Sequence, residues 1–202
     1  MSDDKPFNYD LRFQLHVPLL RDGTRRRDEH AFEYYRVELL RCTEDAETMV
    51  AWAHLFRVIP YNSVDVRAAA ADVGFDYLKR VCNEAIDRNG CLSEKCRNAV
   101  SDWIASRAYI LDEIIFPEPD EKEILLRALF VRAVLDHMSH EDDVLFLNDD
   151  PKTLPFWEKV IGAKKFKRFI VALGSFKLPD ELSLLEGLRY AGFAPAQPRG
   201  LQ

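Results

Sequence analysis

The most strongly patterned segment of the chain requires the fold to contain a β-sheet. Apolar residues occupy every second position from Phe7 to Val17, and polar residues occupy the positions between them. A period of two is typical of a strand with one buried face and one solvent-facing side. A turn signal follows at Asp22-Gly23, and an aromatic and β-branched run comes after it at 34–40. We therefore predict a β-hairpin over residues 7–42.

The rest of the chain has apolar residues mostly at helical spacing. The segments with this spacing are 46–56, 63–86, 93–116, 121–138, and about 155–161, 163–173 and 180–191. The segment 121–138 is apolar on nearly all sides, which predicts a helix buried at the centre of the domain. Glycine accounts for only 8 of 202 residues, which favours helices over a turn-rich sandwich.

These patterns predict an α+β fold that is mostly α. The hairpin at 7–42 is expected to pack on a single bundle of about six to eight helices within 44–192, followed by an extended tail at 193–202. We expect one domain over 1–192, located in the cytoplasm. The N-terminus has no apolar signal segment, and no apolar run is long enough to cross a bilayer. The four cysteines are expected to be reduced thiols.

One segment concentrates residues that bind metals. His137 and His140 are three residues apart and Glu141 follows, so all three could share a helix face. Histidines near a helix C-terminus also interact favourably with the helix dipole without any metal. No motif supplies the remaining ligands, so we predict that no metal and no cofactor is bound here.

Two short segments concentrate positive charge in an acidic chain of net charge −6. The first comprises Arg25, Arg26 and Arg27, and the second comprises Lys164, Lys165, Lys167 and Arg168. The second follows a strongly acidic stretch, with twelve acidic residues against three basic ones between 112 and 150. Basic patches on acidic proteins commonly meet acidic protein surfaces, and aromatic residues between the lysines also suit nucleic acid.

No glycine-rich phosphate loop, nucleophile elbow or activated cysteine motif is present in the sequence. We therefore predict a non-catalytic interaction protein (an adaptor, inhibitor or complex subunit) that binds another protein through charged faces or the hairpin edge. Self-association through the same surfaces fits this prediction. The alternatives are a nucleic-acid-binding subunit that uses residues 25–27 and 164–168, and a helical metal-dependent enzyme that uses His137, His140 and Glu141.

Overall fold

The computed structural model describes residues 8–16, 31–61, 64–100, 107–118, 123–138 and 143–173. Within these residues the chain forms seven strands and five α-helices. In chain order they are β1 (Asn8–His16), β2 (Phe32–Cys42), β3 (Glu47–Val58), α1 (Val66–Val73), α2 (Asp76–Glu84), α3 (Glu94–Val100), β4 (Arg107–Leu111), α4 (Glu123–Met138), β5 (Asp143–Leu147), α5 (Leu154–Ile161), β6 (Lys164–Phe166) and β7 (Phe169–Leu173).

All seven strands join one mixed sheet in the order β1-β2-β3-β4-β5-β7-β6. The neighbours are antiparallel except for β4 and β5, which run parallel and are connected through α4. The predicted helical bundle is therefore wrong, and so is the description of the chain as mostly α. The fold is instead organised around a large sheet, with comparable amounts of helix and strand.

The predicted pairing of the first two strands is present. β1 and β2 run antiparallel without a bulge, from Asn8 opposite Cys42 to His16 opposite Tyr34. The apolar side of β1 packs on the helix side as expected, with Leu11 and Phe13 against the core that includes α4.

Three segments predicted as helices contain strands instead. Residues 46–56 lie mostly in β3, 93–116 includes α3 and β4, and 163–173 contains β6 and β7. β4 and β5 are almost wholly buried, and β3 has buried residues on both faces. A strand covered on both sides is apolar at odd and even positions alike, so it loses the period of two. Helical spacing then arises by chance within the apolar run.

Helices cover both faces of the sheet and form a three-layer sandwich. One core joins α4 and α5 to the sheet through Phe130, Trp157 and Val37. The other core joins α1, α2 and α3 to the opposite face, where Leu78 packs with Phe56. The two helix layers thus enclose the central strands, whereas α1, α2 and α3 leave part of the β1–β3 face accessible.

The helices observed near their predicted positions have clear local signals. Asp65 caps α1 by accepting hydrogen bonds from the backbone of Arg67 and Ala68, and Gly74 ends the helix at φ 87°. α4 differs from the prediction in its burial, because Ile124 is 40% exposed and Leu129 is only partly buried. α4 therefore packs one face on the sheet and does not lie at the centre of a bundle.

Some expectations concern residues outside the described ranges. These are the helix at 180–191, the tail at 193–202, and residues 17–30 of the hairpin connection. Among the described helices, none is both long enough and apolar enough to cross a membrane.

Candidate functional site

The accessible part of the β1–β3 sheet carries an unusual set of polar and aromatic side chains. Because alternate residues share a face, the register places three rows of side chains side by side. These rows are His16–Tyr34–Phe56, Gln14–Arg36–His54 and Arg12–Glu38–Trp52. We call this surface the polar sheet face. Its β1 residues are exposed, Tyr34, Arg36, Trp52 and His54 are partly buried, and Glu38 and Phe56 are buried.

Tyr34 and His54 form a close pair on the polar sheet face. The Tyr34 Oη and His54 Nδ1 atoms lie 2.6 Å apart, and the imidazole tautomer determines which atom donates the hydrogen bond. Burial lowers the pKa of His54 from its usual value, and a nearby arginine contributes to the lowering while Asp112 opposes it. Burial also raises the pKa of Tyr34. Both groups are therefore uncharged near neutral pH.

Aromatic rings surround this pair on several sides. Trp52 and Phe75 approach the His54 ring edge-on, with centroids 5.0 Å and 4.9 Å away. His16 stacks on Tyr34 at 4.9 Å. Phe75 occupies the N-cap position of α2, directly after the left-handed turn at Gly74, so the α1–α2 corner forms one wall of the site.

A charged network lies beside the aromatic rings. The Arg36 guanidinium sits 4.7 Å from the Trp52 ring centroid and donates a hydrogen bond to Glu38 at 2.8 Å. Gln14 donates to the second Glu38 oxygen at 3.2 Å. These contacts satisfy a carboxylate that is only 9% exposed, and they hold Arg36 against Trp52.

The polar sheet face adjoins the edge where β4 and β5 end. The Asp112 backbone N–H donates to the His54 carbonyl at 2.9 Å, which places the residue after β4 beside the pair. The Asn148 side chain, which follows β5, donates to the Asp112 carboxylate at 2.6 Å. In open sheets with parallel strands, ligands commonly bind outside the carboxyl ends of those strands.

The residues after β5 are held in place by two further hydrogen bonds. Trp157 of α5 donates through Nε1 to Asp149 at 2.6 Å. Tyr77 of α2 donates through its hydroxyl to the carbonyl of Leu147 at 2.5 Å. These bonds tie the end of β5 to one helix on each side of the sheet.

This edge of the sheet, which we call the carboxyl edge, is acidic. The acidic residues that follow β4 and β5 at this edge are Asp112, Glu113, Asp149 and Asp150. Arg12 and Arg127 lie nearby, but each is paired with a glutamate. The carboxyl edge therefore attracts cations.

The carboxyl edge also contains a shallow crevice lined by Asp112, Asn148, Arg127 and Trp157. Its volume is about 10 Å³, which is room for about one water molecule. Most of its lining residues, including Val131 and Trp157, belong to the core on the α4–α5 side, so the crevice lies on the side of the sheet opposite the polar sheet face.

The structure places one of the three metal candidates. His137 lies exposed in the last turn of α4 and stacks on Phe13 with ring centroids 4.1 Å apart. His140 and Glu141 lie outside the described residues. In the described part of the chain, no group of three or more histidine, cysteine or acidic residues could hold a metal ion.

The second basic segment forms a hairpin, with Lys167 at a left-handed turn (φ 52°) between β6 and β7. Lys167 and Arg168 both form ion pairs with Glu84, and Lys164 donates to the carbonyl of Val100. Lys165 is exposed in β6. Residues 25–27 lie outside the described ranges, so their position relative to this hairpin is not described.

Sequence reasoning considered Asp112 only as a possible extra ligand for a metal site at His137 and did not group it with Tyr34, His54 or Asn148, because these residues lie on separate elements. For Asp112 and Asn148, the one signal in the sequence is that each directly follows a short apolar strand. Comparison with known proteins adds no further assignment: no family model, curated protein or solved structure matches the chain significantly.

Proposed function

We propose that the protein is an enzyme that binds an amine on the polar sheet face and uses His54 as a proton acceptor. The observation that carries this proposal is the 2.6 Å contact between Tyr34 and His54, with the pKa of His54 lowered. A neutral imidazole can accept a proton at neutral pH, and a hydrogen-bonded partner orients it for that role.

Tyr34 has a specific role in this proposal. When His54 carries its proton on Nδ1, this N–H donates to Tyr34 Oη and leaves Nε2 as the basic nitrogen. After Nε2 accepts a proton, the Nδ1–H bond to Tyr34 is retained. Tyr34 is thus a positioning residue, and His54 is the proposed base.

The ligand class follows from the charges around the site. Amines are protonated at neutral pH, and the acidic carboxyl edge favours a positive group there. Trp52 and Phe75 provide aromatic surface beside it. The free amine is the nucleophile, and His54 accepts the proton that its nitrogen loses as the new bond to an electrophile forms. The polar sheet face is open, so it can accommodate an amine carried by a larger molecule as well as a small one.

Binding is tested by NMR titration with n-butylamine and with its uncharged analogue n-butanol. A lysine peptide and its acetyl-lysine counterpart then distinguish a macromolecular amine from a small one. We expect the amines, and not the alcohol or the acetylated peptide, to shift the resonances of His54 and Asp112. Equal shifts with butanol, or shifts confined to other surfaces, would contradict the proposal.

Catalysis is tested by aminolysis of p-nitrophenyl acetate by the bound amine. His54→Gln is expected to slow this reaction by about a hundredfold, the lower range for general base catalysis. His137→Gln is a matched control on an exposed histidine far along α4, and it should leave the rate unchanged. Equal rates for the wild type and His54→Gln would exclude His54 as the base.

The interaction function expected from the sequence stays a second prediction. It is favoured by the exposed basic side chains of residues 164–168, although Lys167 and Arg168 already pair with Glu84. A pull-down in which charge reversal of this segment removes a specific partner would support it.

A further inference from the structure

The two edges of the sheet differ in how they are protected. β6 spans only Lys164–Phe166 and begins with two exposed lysines. Short edge strands and lysines are common devices that prevent strands of separate molecules from pairing. β1 at the other edge is nine residues long, contains no proline, and pairs with β2 in a continuous register. Among the residues that the structure describes, β1 is therefore the longer and less protected edge strand.

The sequence of β1 is complementary to itself in one antiparallel register. If Leu11 lies opposite Leu11 of a second copy, Asp10 lies opposite Arg12 and Tyr9 opposite Phe13. The two-fold axis generates each of these pairs twice. In this register even-numbered residues lie opposite even-numbered residues, and odd-numbered residues lie opposite odd-numbered ones. The polar sides of both strands therefore stay on one side of the combined sheet.

A register shifted by one residue on each strand is less favourable. It would place Arg12 directly opposite Arg12 of the second copy, and like charges in that position destabilise a strand pair. The register centred on Leu11 instead gives two Asp10–Arg12 pairs, added to the Arg12–Glu47 ion pair within each copy, and apolar pairs on the helix side. Of these two registers, the one centred on Leu11 is therefore the more favourable pairing of β1 with its own copy.

We propose that two copies of this chain associate through antiparallel pairing of their β1 strands, centred on Leu11. The partner is a second copy because charge and apolar pattern match under two-fold symmetry. The two seven-stranded sheets then form one continuous sheet, and the polar sheet faces of both copies lie on the same side. This inference does not depend on the proposed amine chemistry.

The proposal is tested by sedimentation of single charge-reversal variants and of their mixture. Asp10→Arg places arginine opposite arginine, and Arg12→Asp places aspartate opposite aspartate. Each variant alone is expected to dimerise at least about tenfold more weakly than the wild type. An equimolar mixture is expected to recover association, because each variant then faces the opposite charge. A monomeric wild type, or a mixture no stronger than the single variants, would overturn the proposal.

Disulfide trapping tests the register without changing any charge. Directly opposed residues in antiparallel strands have Cα atoms about 4.5–5.5 Å apart, which is within the range for a disulfide. Leu11→Cys in a Cys42→Ser background should therefore form a covalent dimer on mild oxidation. Phe13→Cys in the same background is the control, since it lies opposite Tyr9 and should not cross-link. Equal cross-linking of the two variants would reject this register.

Discussion

Tyr77→Phe removes a single hydroxyl that connects α2 to the end of β5. The Tyr77 side chain is 5% exposed and its hydroxyl donates to the Leu147 carbonyl at 2.5 Å. Burial raises the pKa of this phenol, so it stays protonated and remains a donor. Loss of the donor leaves a buried carbonyl without this hydrogen bond, which costs about 1–3 kcal/mol.

For a chain of this size, each kcal/mol corresponds to a fall in Tm of about 2–4 °C. We therefore expect Tyr77→Phe to lower Tm by about 2–12 °C, and to lower the urea midpoint with an unchanged m-value. Tyr61→Phe makes the same chemical change on a side chain that is 81% exposed, and it should change stability by less than about 0.5 kcal/mol. If both variants lose the same stability, the Tyr77–Leu147 bond does not hold the end of β5 and the reasoning is refuted.

Three further predictions concern the site, the core and the basic hairpin. The pKa of His54 is lowered in the folded state. As the pH falls below about 6.5, His54 in the unfolded chain therefore becomes protonated before His54 in the folded chain does. Stability is therefore expected to fall as pH drops from 6.5 through the lower folded pKa. His54→Asn should reduce this slope in pH-dependent urea titrations. Phe130→Ala should lower the free energy of unfolding by about 3–5 kcal/mol because the ring is fully buried in the core. Leu129→Ala should lower it by only about 1–2 kcal/mol because Leu129 is partly buried. Equal losses of stability in thermal unfolding would mean that α4 is buried on all sides. Binding to generic RNA should be weak at physiological salt, and replacing the basic residues of 164–168 with glutamate should leave it unchanged. Submicromolar, salt-sensitive binding that these replacements abolish would instead support a nucleic-acid function.

Local sequence patterns were sufficient wherever a segment has only one buried face. The alternation in β1 is visible in the sequence because its polar side faces solvent. Together with the turn signal and the apolar run that follow, it predicted the pairing of β1 with β2. α5 was predicted because Phe156, Trp157 and Val160 form one buried stripe that ends at Gly162. In such segments the period of the apolar residues directly reports the secondary structure.

The central strands could not be predicted this way. β5 is buried at every position, so its sequence shows an apolar run without alternation. In the basic segment, Phe166 and Phe169 have helical spacing, but the left-handed turn at Lys167 makes them neighbours across a hairpin. Burial on two faces is a property of the assembled layers, and it removes the local signal for a strand.

The candidate site depends entirely on tertiary structure. Tyr34 and His54 are 20 residues apart, and only the register of β2 on β3 brings their side chains together. Asp112 and Asn148 meet because β4 and β5 run parallel and end at one edge. The sequence by itself determined the net acidity, the first strand pair and the one-sided helices. Strand order and register decided which side chains share the polar sheet face, since these depend on contacts between segments far apart in the chain.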